Sequence, residues 1–235
     1  MDIANQIALV TGANRGIGAQ FVEELLERGV RKVYATGRRP ELITAPGVEV
    51  LRLDLLDHDS VAAAARAASD VTLLINNAGI GTSTPLVTGE MSEIRRQMDT
   101  HFWGTLDVIR EFSPVLATNG GGSIVNILSA LSWFVSPGNG AYAAAKSAEW
   151  SLTNAVRLDL AGQGTFVQGV HLGAADTDIM AGYDGPMIAP RDVARASLDG
   201  LTSGSIEVLV DDTAAMVKAS LASDPITLYG PMLGN

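Results

Sequence analysis

Short apolar segments alternate with longer helix-like segments along the whole chain, and this alternation constrains the fold more than any other feature. The apolar segments predict seven strands, at residues 7–10, 33–36, 48–54, 71–76, 122–128, 166–172 and 206–210. The segments between them predict helices at residues 17–28, 60–68, 92–118 and 141–161 and from residue 191 onward. Such alternation favours a parallel sheet covered on both faces and joined by right-handed crossovers. The predicted fold is one α/β domain over residues 1–235, a doubly wound Rossmann fold with a seven-stranded parallel sheet.

The composition limits the partners that the chain can bind. Its 235 residues contain no apolar run of the roughly 18 residues that a membrane-spanning helix needs. A net charge of -10 at pH 7 opposes binding to nucleic acids and anionic membranes, so a small molecule is the expected partner. The chain has no cysteine, and its first residues show neither the basic region nor the apolar core of a secretory signal. We therefore expect a cytoplasmic protein.

A glycine-rich turn joins the first predicted strand to the first predicted helix. It runs from Thr11 to Gly18 with the sequence Thr-Gly-Ala-Asn-Arg-Gly-Ile-Gly. Glycines permit a tight turn, and the free N–H groups at the helix N-terminus favour a pyrophosphate. Three glycines alone are a weak signal, but the strand and helix on either side are the context that a dinucleotide-binding turn needs. The predicted cofactor-binding residues here are Gly12, Asn14, Arg15, Gly16, Ile17 and Gly18.

The end of the second predicted strand indicates which dinucleotide binds. An acidic residue about 20 positions beyond the turn would favour the ribose hydroxyls of NAD, whereas arginine favours the 2′-phosphate of NADP. This strand ends Thr36-Gly37-Arg38-Arg39 with no carboxylate, and Arg15 lies in the turn itself. Guanidinium groups form charge-assisted, paired hydrogen bonds with phosphate. The pattern predicts NADP(H) as the cofactor; the alternative is that Arg38 and Arg39 are solvated surface residues.

Tyr142 and Lys146 are four positions apart in a predicted helix, so their side chains lie on one face. A cation beside a phenol stabilises the phenolate, which makes Tyr142 a candidate for proton transfer. Ser129 follows the fifth predicted strand, where its side chain would face the crevice at the strand ends. Hydride delivery to a carbonyl carbon builds negative charge on its oxygen, and hydroxyl donors stabilise that charge. The three residues therefore predict interconversion of a carbonyl group and an alcohol.

The sequence Asn76-Asn77-Ala78-Gly79 after the fourth predicted strand completes a set of motifs. With the glycine turn, the serine and the Tyr-x-x-x-Lys pair in this order, the chain resembles the short-chain dehydrogenase/reductase family from about residue 5 to residue 180. The resemblance implies that the serine binds the substrate carbonyl, the tyrosine transfers the proton, and the lysine tunes the tyrosine and binds the nicotinamide ribose. It implies further cofactor contacts, at the adenine by Asp54 and Leu55, at the ribose side by Asn77, Ala78 and Gly79, and at the nicotinamide amide by Thr177.

His101 and Leu172 stand where the family commonly has other residues. Many members have an asparagine in place of His101, and that asparagine supports a water near the lysine. His101 is a candidate catalytic residue because imidazole titrates near neutrality and could relay protons; packing, or support of a water, is the slightly favoured alternative. Leu172-Gly173 replaces the common Pro-Gly, and without the fixed φ of proline the loop that carries Thr177 is less constrained.

The segment at about 174–190 is predicted to be a short, mobile cover over the substrate. The predicted substrate contacts are three residues of this segment and two that follow the candidate catalytic serine: Met180, Tyr183, Met187, Trp133 and Phe134. Such side chains would suit a hydrophobic or aryl ketone or aldehyde. The alternative, about equally consistent with the sequence, is that they seal a subunit contact or the core.

The resulting hypothesis is reversible, NADPH-dependent reduction of a hydrophobic ketone or aldehyde, with the proton from Tyr142. The runner-up is an NADP-linked hydroxysteroid or other bulky-alcohol dehydrogenase, which differs in substrate rather than in chemistry. The rival from another class is a non-catalytic protein that senses NADPH and regulates a partner. Such a sensor has no need of the serine, the tyrosine and the lysine together.

No catalytic metal is predicted. His58, His171 and Asp178 lack ligand spacing and are expected at the surface or in loops. The resemblance also implies a homodimer or a homotetramer, because the helices at residues 91–118 and 141–161 match those that form a dimer contact in the family.

Overall fold

Seven parallel strands form the central sheet in the computed structural model, which describes residues 1–233. The strands are β1 (Ile7–Val10), β2 (Lys32–Gly37), β3 (Glu49–Arg52), β4 (Leu73–Asn76), β5 (Ser123–Ile127), β6 (Phe166–His171) and β7 (Glu207–Leu209). Their order is β3-β2-β1-β4-β5-β6-β7, and each neighbouring pair runs parallel. The prediction of a single α/β domain with a seven-stranded, Rossmann-type parallel sheet is confirmed.

Helices cover both faces of this sheet. They are α1 (Gly16–Glu27), α2 (His58–Ala67), α3 (Met91–Met98), α4 (Thr105–Thr118), α5 (Gly140–Asp159), α6 (Pro190–Ser203), α7 (Asp212–Ala219) and α8 (Pro225–Tyr229). Helices α1 and α6 pack on one face, where Phe21 and Leu198 are fully buried. Helices α2, α4 and α5 pack on the other, around Phe112 and Leu152. None of the helices within residues 1–233 is long and apolar enough to cross a membrane.

The side chains of β1 show how the sequence builds these two layers. Successive residues of a strand point to opposite faces of the sheet. Ala8 and Val10 accordingly join the core beneath α1 and α6, while Ile7 and Leu9 join the core beneath α2 and α4. Because both faces are covered, every position of the strand is apolar and buried.

The strand order reverses direction at β1 and β4. From β1 the chain proceeds outward to β2 and β3, whereas β4 begins the outward progression on the other side to β7. At such a reversal the loops after the two strands separate, and a crevice opens at their carboxyl ends. The glycine turn follows β1, and the Asn76-Asn77-Ala78-Gly79 sequence spans the end of β4, so both motifs lie at this crevice.

The structure differs from the sequence-based predictions in three places. The predicted helix at residues 92–118 is interrupted by a π-helical turn at Asp99–Gly104, which joins α3 to α4. Helices α7 and α8 near the C-terminus were not predicted. The expectation that His171 lies at the surface or in a loop is wrong, because it is the last residue of β6 and is fully buried.

Candidate active site

An open cavity of about 640 Å³ lies at the carboxyl ends of the central strands. Most of the residues predicted to bind the cofactor line it: Gly12, Asn14, Arg15, Gly16, Ile17, Arg38, Arg39, Asp54, Leu55, Asn77, Ala78, Gly79 and Thr177. Gly18, Tyr142 and Lys146 are not among the lining residues. The cavity also includes Arg96 and Ile80, neither of which was predicted from the sequence.

The glycine turn is held in a shape that leaves no room for a side chain at Gly12 or Gly18. Gly12 has a φ of +66°, and a Cβ on it would lie 2.9 Å from the Cα of Ala78. A Cβ on Gly18 would lie 2.2 Å from the carbonyl oxygen of Gly12. The Asn77 side-chain amide donates to the carbonyl of Thr11 at 2.9 Å, so the turn is fixed against the end of β4. This backbone cradle at the start of α1 fits a dinucleotide pyrophosphate.

Arginines surround the end of β2 beside the cavity. Arg38 and Arg39 are exposed, and neither forms an ion pair with any carboxylate of residues 1–233. Arg15 instead pairs with Asp178, which connects the glycine turn to the segment at 174–190. Asp178 is exposed, as the sequence suggested for it, but its pairing with the turn was not predicted. Two guanidinium groups are therefore available to an anion at this end of the cavity.

Ser129 caps the turn that follows β5. Its Oγ accepts a hydrogen bond from the N–H of Leu131 at 3.1 Å, and its own N–H donates to the Oγ of Ser132 at 3.3 Å. Its carbonyl accepts from Nδ1 of His171 at 3.1 Å. Among the described residues, the Ser129 hydroxyl proton has no acceptor, so this hydroxyl can donate to an oxygen brought to it.

Tyr142 and Lys146 share one face of α5, as predicted from their spacing. The Lys146 Nζ lies 6.0 Å from the centre of the Tyr142 ring. This ammonium is buried and donates to the carbonyl of Ile127 at the end of β5, at 2.7 Å. A hydrogen bond from Ser147 to the carbonyl of Ser132, 2.8 Å long, fixes α5 against the turn that carries Ser129. The fold thus brings the serine, the tyrosine and the lysine to one end of β5.

Glu149 belongs to this site and was not predicted from the sequence. Its side chain is buried, and its Oε2 accepts from the Lys146 Nζ at 2.7 Å. Burial disfavours both charges, but their mutual attraction prevails: it keeps the pKa of Lys146 above and the pKa of Glu149 below the ordinary values. The signal was present in the sequence, because Glu149 follows Lys146 by three positions and Tyr142 by seven, which puts all three on one helical face.

His101 lies on the π-helical turn, against the same cluster. Its Nε2 donates to the carbonyl of Ile80 at 2.7 Å, which fixes the neutral tautomer because a carbonyl can only accept. Its Nδ1 lies 3.5 Å from Oε2 of Glu149, and its ring meets the Tyr142 ring edge-on at 5.4 Å. Burial, and then the Lys146 charge, hold the pKa of His101 below its ordinary value. A neutral, packed imidazole is therefore favoured over one that takes up protons near neutrality.

The predicted substrate residues divide into two groups. Trp133 is buried and stacks on His171, with the ring centres 3.7 Å apart, and Phe134 stacks on Tyr229 at 5.5 Å. This placement gives Trp133 a packing role beneath α7 and does not support contact with a substrate. Met180, Tyr183 and Met187 lie on the segment at 174–190, where Tyr183 and Met187 are exposed.

The segment at 174–190 is held by contacts near its ends, whereas several of its side chains are exposed to solvent. Its ends are joined by a bridge between Ala175 and Ile188, and Arg15 of the glycine turn pairs with Asp178.

Elsewhere in the described chain, His58 is exposed and pairs with Asp107 at 2.9 Å. No group of three or more histidine, aspartate or glutamate side chains within residues 1–233 is placed to hold a metal ion.

Comparisons with known proteins agree with the observed fold. The sequence profile described as short chain dehydrogenase matches residues 6–185. A short chain dehydrogenase from Burkholderia cenocepacia J2315, solved in complex with NADP, is 38% identical with a TM-score of 0.94, covering 99% of each chain. An NADPH-dependent 1-acyldihydroxyacetone phosphate reductase of Schizosaccharomyces pombe is 31% identical over 76% of this chain and 62% of its own length. An uncharacterized oxidoreductase of Staphylococcus saprophyticus is 27% identical over 87% of this chain and 94% of its own.

Proposed function

The chain belongs to the short-chain dehydrogenase family of oxidoreductases, and we propose that it reduces a hydrophobic ketone or aldehyde with NADPH. The observation that carries this proposal is the arrangement on α5, where a buried lysine ammonium lies 6.0 Å from the ring of Tyr142 beside the end of β5 that carries Ser129. A protein that only sensed the cofactor would have no use for this arrangement. The reaction is reversible, so the same site would oxidise the alcohol with NADP⁺.

The cofactor proposal rests on the cavity and on two relatives. The glycine cradle would hold the pyrophosphate, and Arg38 and Arg39 would hold the 2′-phosphate of NADP, because neither has a carboxylate partner in residues 1–233. The Burkholderia protein was solved with NADP, and the fission yeast relative is named as NADPH-dependent. Bound NADPH supplies the hydride that reduces the carbonyl carbon.

The residues of β5 and α5 would then handle the oxygen and its proton. Ser129 would donate its free hydroxyl proton in a hydrogen bond to the carbonyl oxygen and so orient the substrate. Tyr142 would donate its phenol proton to the same oxygen as negative charge develops there. Lys146, as a buried cation near the ring, would stabilise the phenolate that remains.

The substrate proposal rests on the segment at 174–190, which we propose covers the substrate. Its Ile179, Tyr183 and Met187 are exposed and offer apolar surface, and Ile179 lines the cavity. Such surface would suit a hydrophobic or aryl carbonyl compound. Trp133 would not contribute to this surface, because it is buried and packed against His171.

Initial rates with an activated aryl ketone test this proposal. We expect NADPH to be oxidised, with kcat/KM for NADH lower by at least about tenfold, because NADH lacks the phosphate that the arginines would bind. A preference for NADH would contradict the cofactor assignment. Binding of NADPH without oxidation by any aryl ketone, bulky ketone or aldehyde would contradict the enzymatic proposal and favour a sensor.

A further inference from the structure

A buried carboxylate pairs with the Lys146 ammonium on the helix that carries the proposed proton donor. The Glu149 Oε2 lies 2.7 Å from the Lys146 Nζ, and both side chains are buried. Lys146 therefore does not act on Tyr142 as an isolated cation. In a buried site with low effective dielectric, the phenol experiences both members of this ion pair.

We propose that Glu149 is a positioning residue that fixes the Lys146 ammonium and offsets part of its field at Tyr142, so that the phenol keeps its proton to higher pH. A negative charge next to the ammonium makes the phenolate less favourable than the ammonium alone would. A protonated tyrosine is the form that reduction needs, whereas alcohol oxidation needs the phenolate. The consequence for direction rests on the proposed function: Glu149 would favour carbonyl reduction at neutral pH.

Few titratable groups face Glu149 among residues 1–233. The titratable groups that face its carboxylate are Lys146 on its own helix and His101 on the π-helical turn. From α4, the neutral hydroxyl of Thr105 donates to Oε1 at 3.5 Å. No other charged side chain of residues 1–233 contacts the carboxylate, and His101 carries no charge near neutrality because burial lowers its pKa.

The test is an absorbance titration of the tyrosine phenolate in the full chain without added cofactor, which needs no turnover. The signal of Tyr142 is isolated by subtracting the Tyr142→Phe variant from the wild type, and the same subtraction is made in a Glu149→Gln background. The glutamine substitution keeps the packing, since the amide has the shape of the carboxylate, can accept from Lys146 and can donate to the unpartnered Nδ1 of His101.

We expect Glu149→Gln to lower the pH midpoint of the Tyr142 transition by about one unit, the lower end of what a neighbouring charge produces. His101→Asn is the matched control, because it changes the same cluster without removing a charge, and its midpoint should move by less than half as much. A Glu149→Gln midpoint that is unchanged, or higher, would overturn the proposal. If this variant does not fold, Glu149→Asp, which draws the charge back by one methylene, should lower the midpoint by a smaller amount; no shift there would also overturn it.

The pH dependence of the reaction rates distinguishes the role of Glu149 from the proposed reductase activity. In Glu149→Gln, the high-pH decline of ketone reduction and the low-pH decline of alcohol oxidation should both move to lower pH. A shift of the reduction profile alone would mean that Lys146 has lost its charge, and would overturn the role given to Glu149. Absence of turnover in the wild type would contradict the proposed function, while the titration would still decide the role of Glu149.

Discussion

At the scale of single residues, the side chains around the cavity are distinguished by their partners. Arg15 is engaged by Asp178, whereas Arg38 and Arg39 have no carboxylate partner in the described chain. An arginine without a partner keeps its full capacity to bind an anion in two parallel hydrogen bonds. Selectivity for the phosphorylated cofactor should therefore depend on the pair at the end of β2.

Arg38→Ala should reduce kcat/KM for NADPH by about 10- to 100-fold and leave that for NADH nearly unchanged, because a hydrogen bond to a charged group contributes roughly 1.5–3 kcal/mol. The measurement is the initial rate with each cofactor at a fixed ketone concentration. Arg31→Ala is the matched control, since Arg31 is an exposed arginine that immediately precedes the opposite end of β2. Equal losses with both cofactors would refute the phosphate contact.

At the scale of elements, the unit formed by β1, the glycine turn and α1 depends on close backbone contact. The turn and the end of β4 approach so closely that a single methyl group has no room at Gly18. The contact sets where the first N–H groups of α1 point, and hence where an anion can bind.

Gly18→Ala should therefore weaken NADPH binding by more than about tenfold and destabilise the fold by roughly 1–3 kcal/mol, since its Cβ would meet the carbonyl of Gly12 at 2.2 Å. Fluorescence titration with NADPH and urea unfolding measure the two effects. Gly162→Ala serves as the control, because a Cβ there meets nothing within 4 Å. If Gly18→Ala binds NADPH as tightly as the wild type, the turn does not form the cofactor cradle.

The elements that the sequence predicted are those with strong apolar patterns. The strands were found to within about two residues at each end. The inner strands, such as β1 and β4, are buried, mostly apolar runs, and this pattern marks them in the sequence. Helices α7 and α8 were missed because they are only eight and five residues long and largely exposed. The π-helical turn was not predicted because its residues continue the helical pattern of the flanking segments. The extra residue in the turn is not marked by any particular residue type.

Site residues could be predicted where a sequence motif fixes the backbone conformation. They were harder to predict where tertiary packing determines the position of a side chain. The glycine turn follows from its glycines between a strand and a helix, and the Tyr142–Lys146 pair follows from its spacing along one helix. For Trp133 the sequence left substrate contact and core packing open, because its position after Ser129 does not reveal that it faces His171. Glu149 was missed because a glutamate in a helix is usually solvated, and only the packing shows that this one is buried.

At the scale of the whole molecule, stability depends on groups that must stay neutral inside the fold. His171 is fully buried, donates to the carbonyl of Ser129 and stacks on Trp133, which links the sheet to the C-terminal helices. Burial lowers the pKa of His171 to about 4 from an ordinary value of 6.5. His101 shows a shift in the same direction for the same reason.

The stability of the fold should fall as pH decreases from about 6.5 to about 4, because the unfolded chain binds a proton at His171 that the folded chain excludes. The full loss from this residue is about 3 kcal/mol, since each pKa unit corresponds to about 1.4 kcal/mol. Urea unfolding at several pH values should show a weaker pH dependence in His171→Gln. In the control His58→Gln the fall should remain, because pairing with Asp107 raises the pKa of His58. An identical decline in the wild type and His171→Gln would show that protonation of His171 does not cause the loss of stability.

Transfer of a proton from Tyr142 to a carbonyl oxygen is the central claim, and it is tested most directly by Tyr142→Phe. With an aryl ketone, kcat/KM should fall by about 10²- to 10⁴-fold, the contribution of a general acid, while NADPH still binds. Tyr34→Phe, which removes a buried phenol bonded to Asp70 away from the cavity, should retain turnover. A Tyr142→Phe variant that binds NADPH and reduces the ketone at the wild-type rate would contradict the assignment.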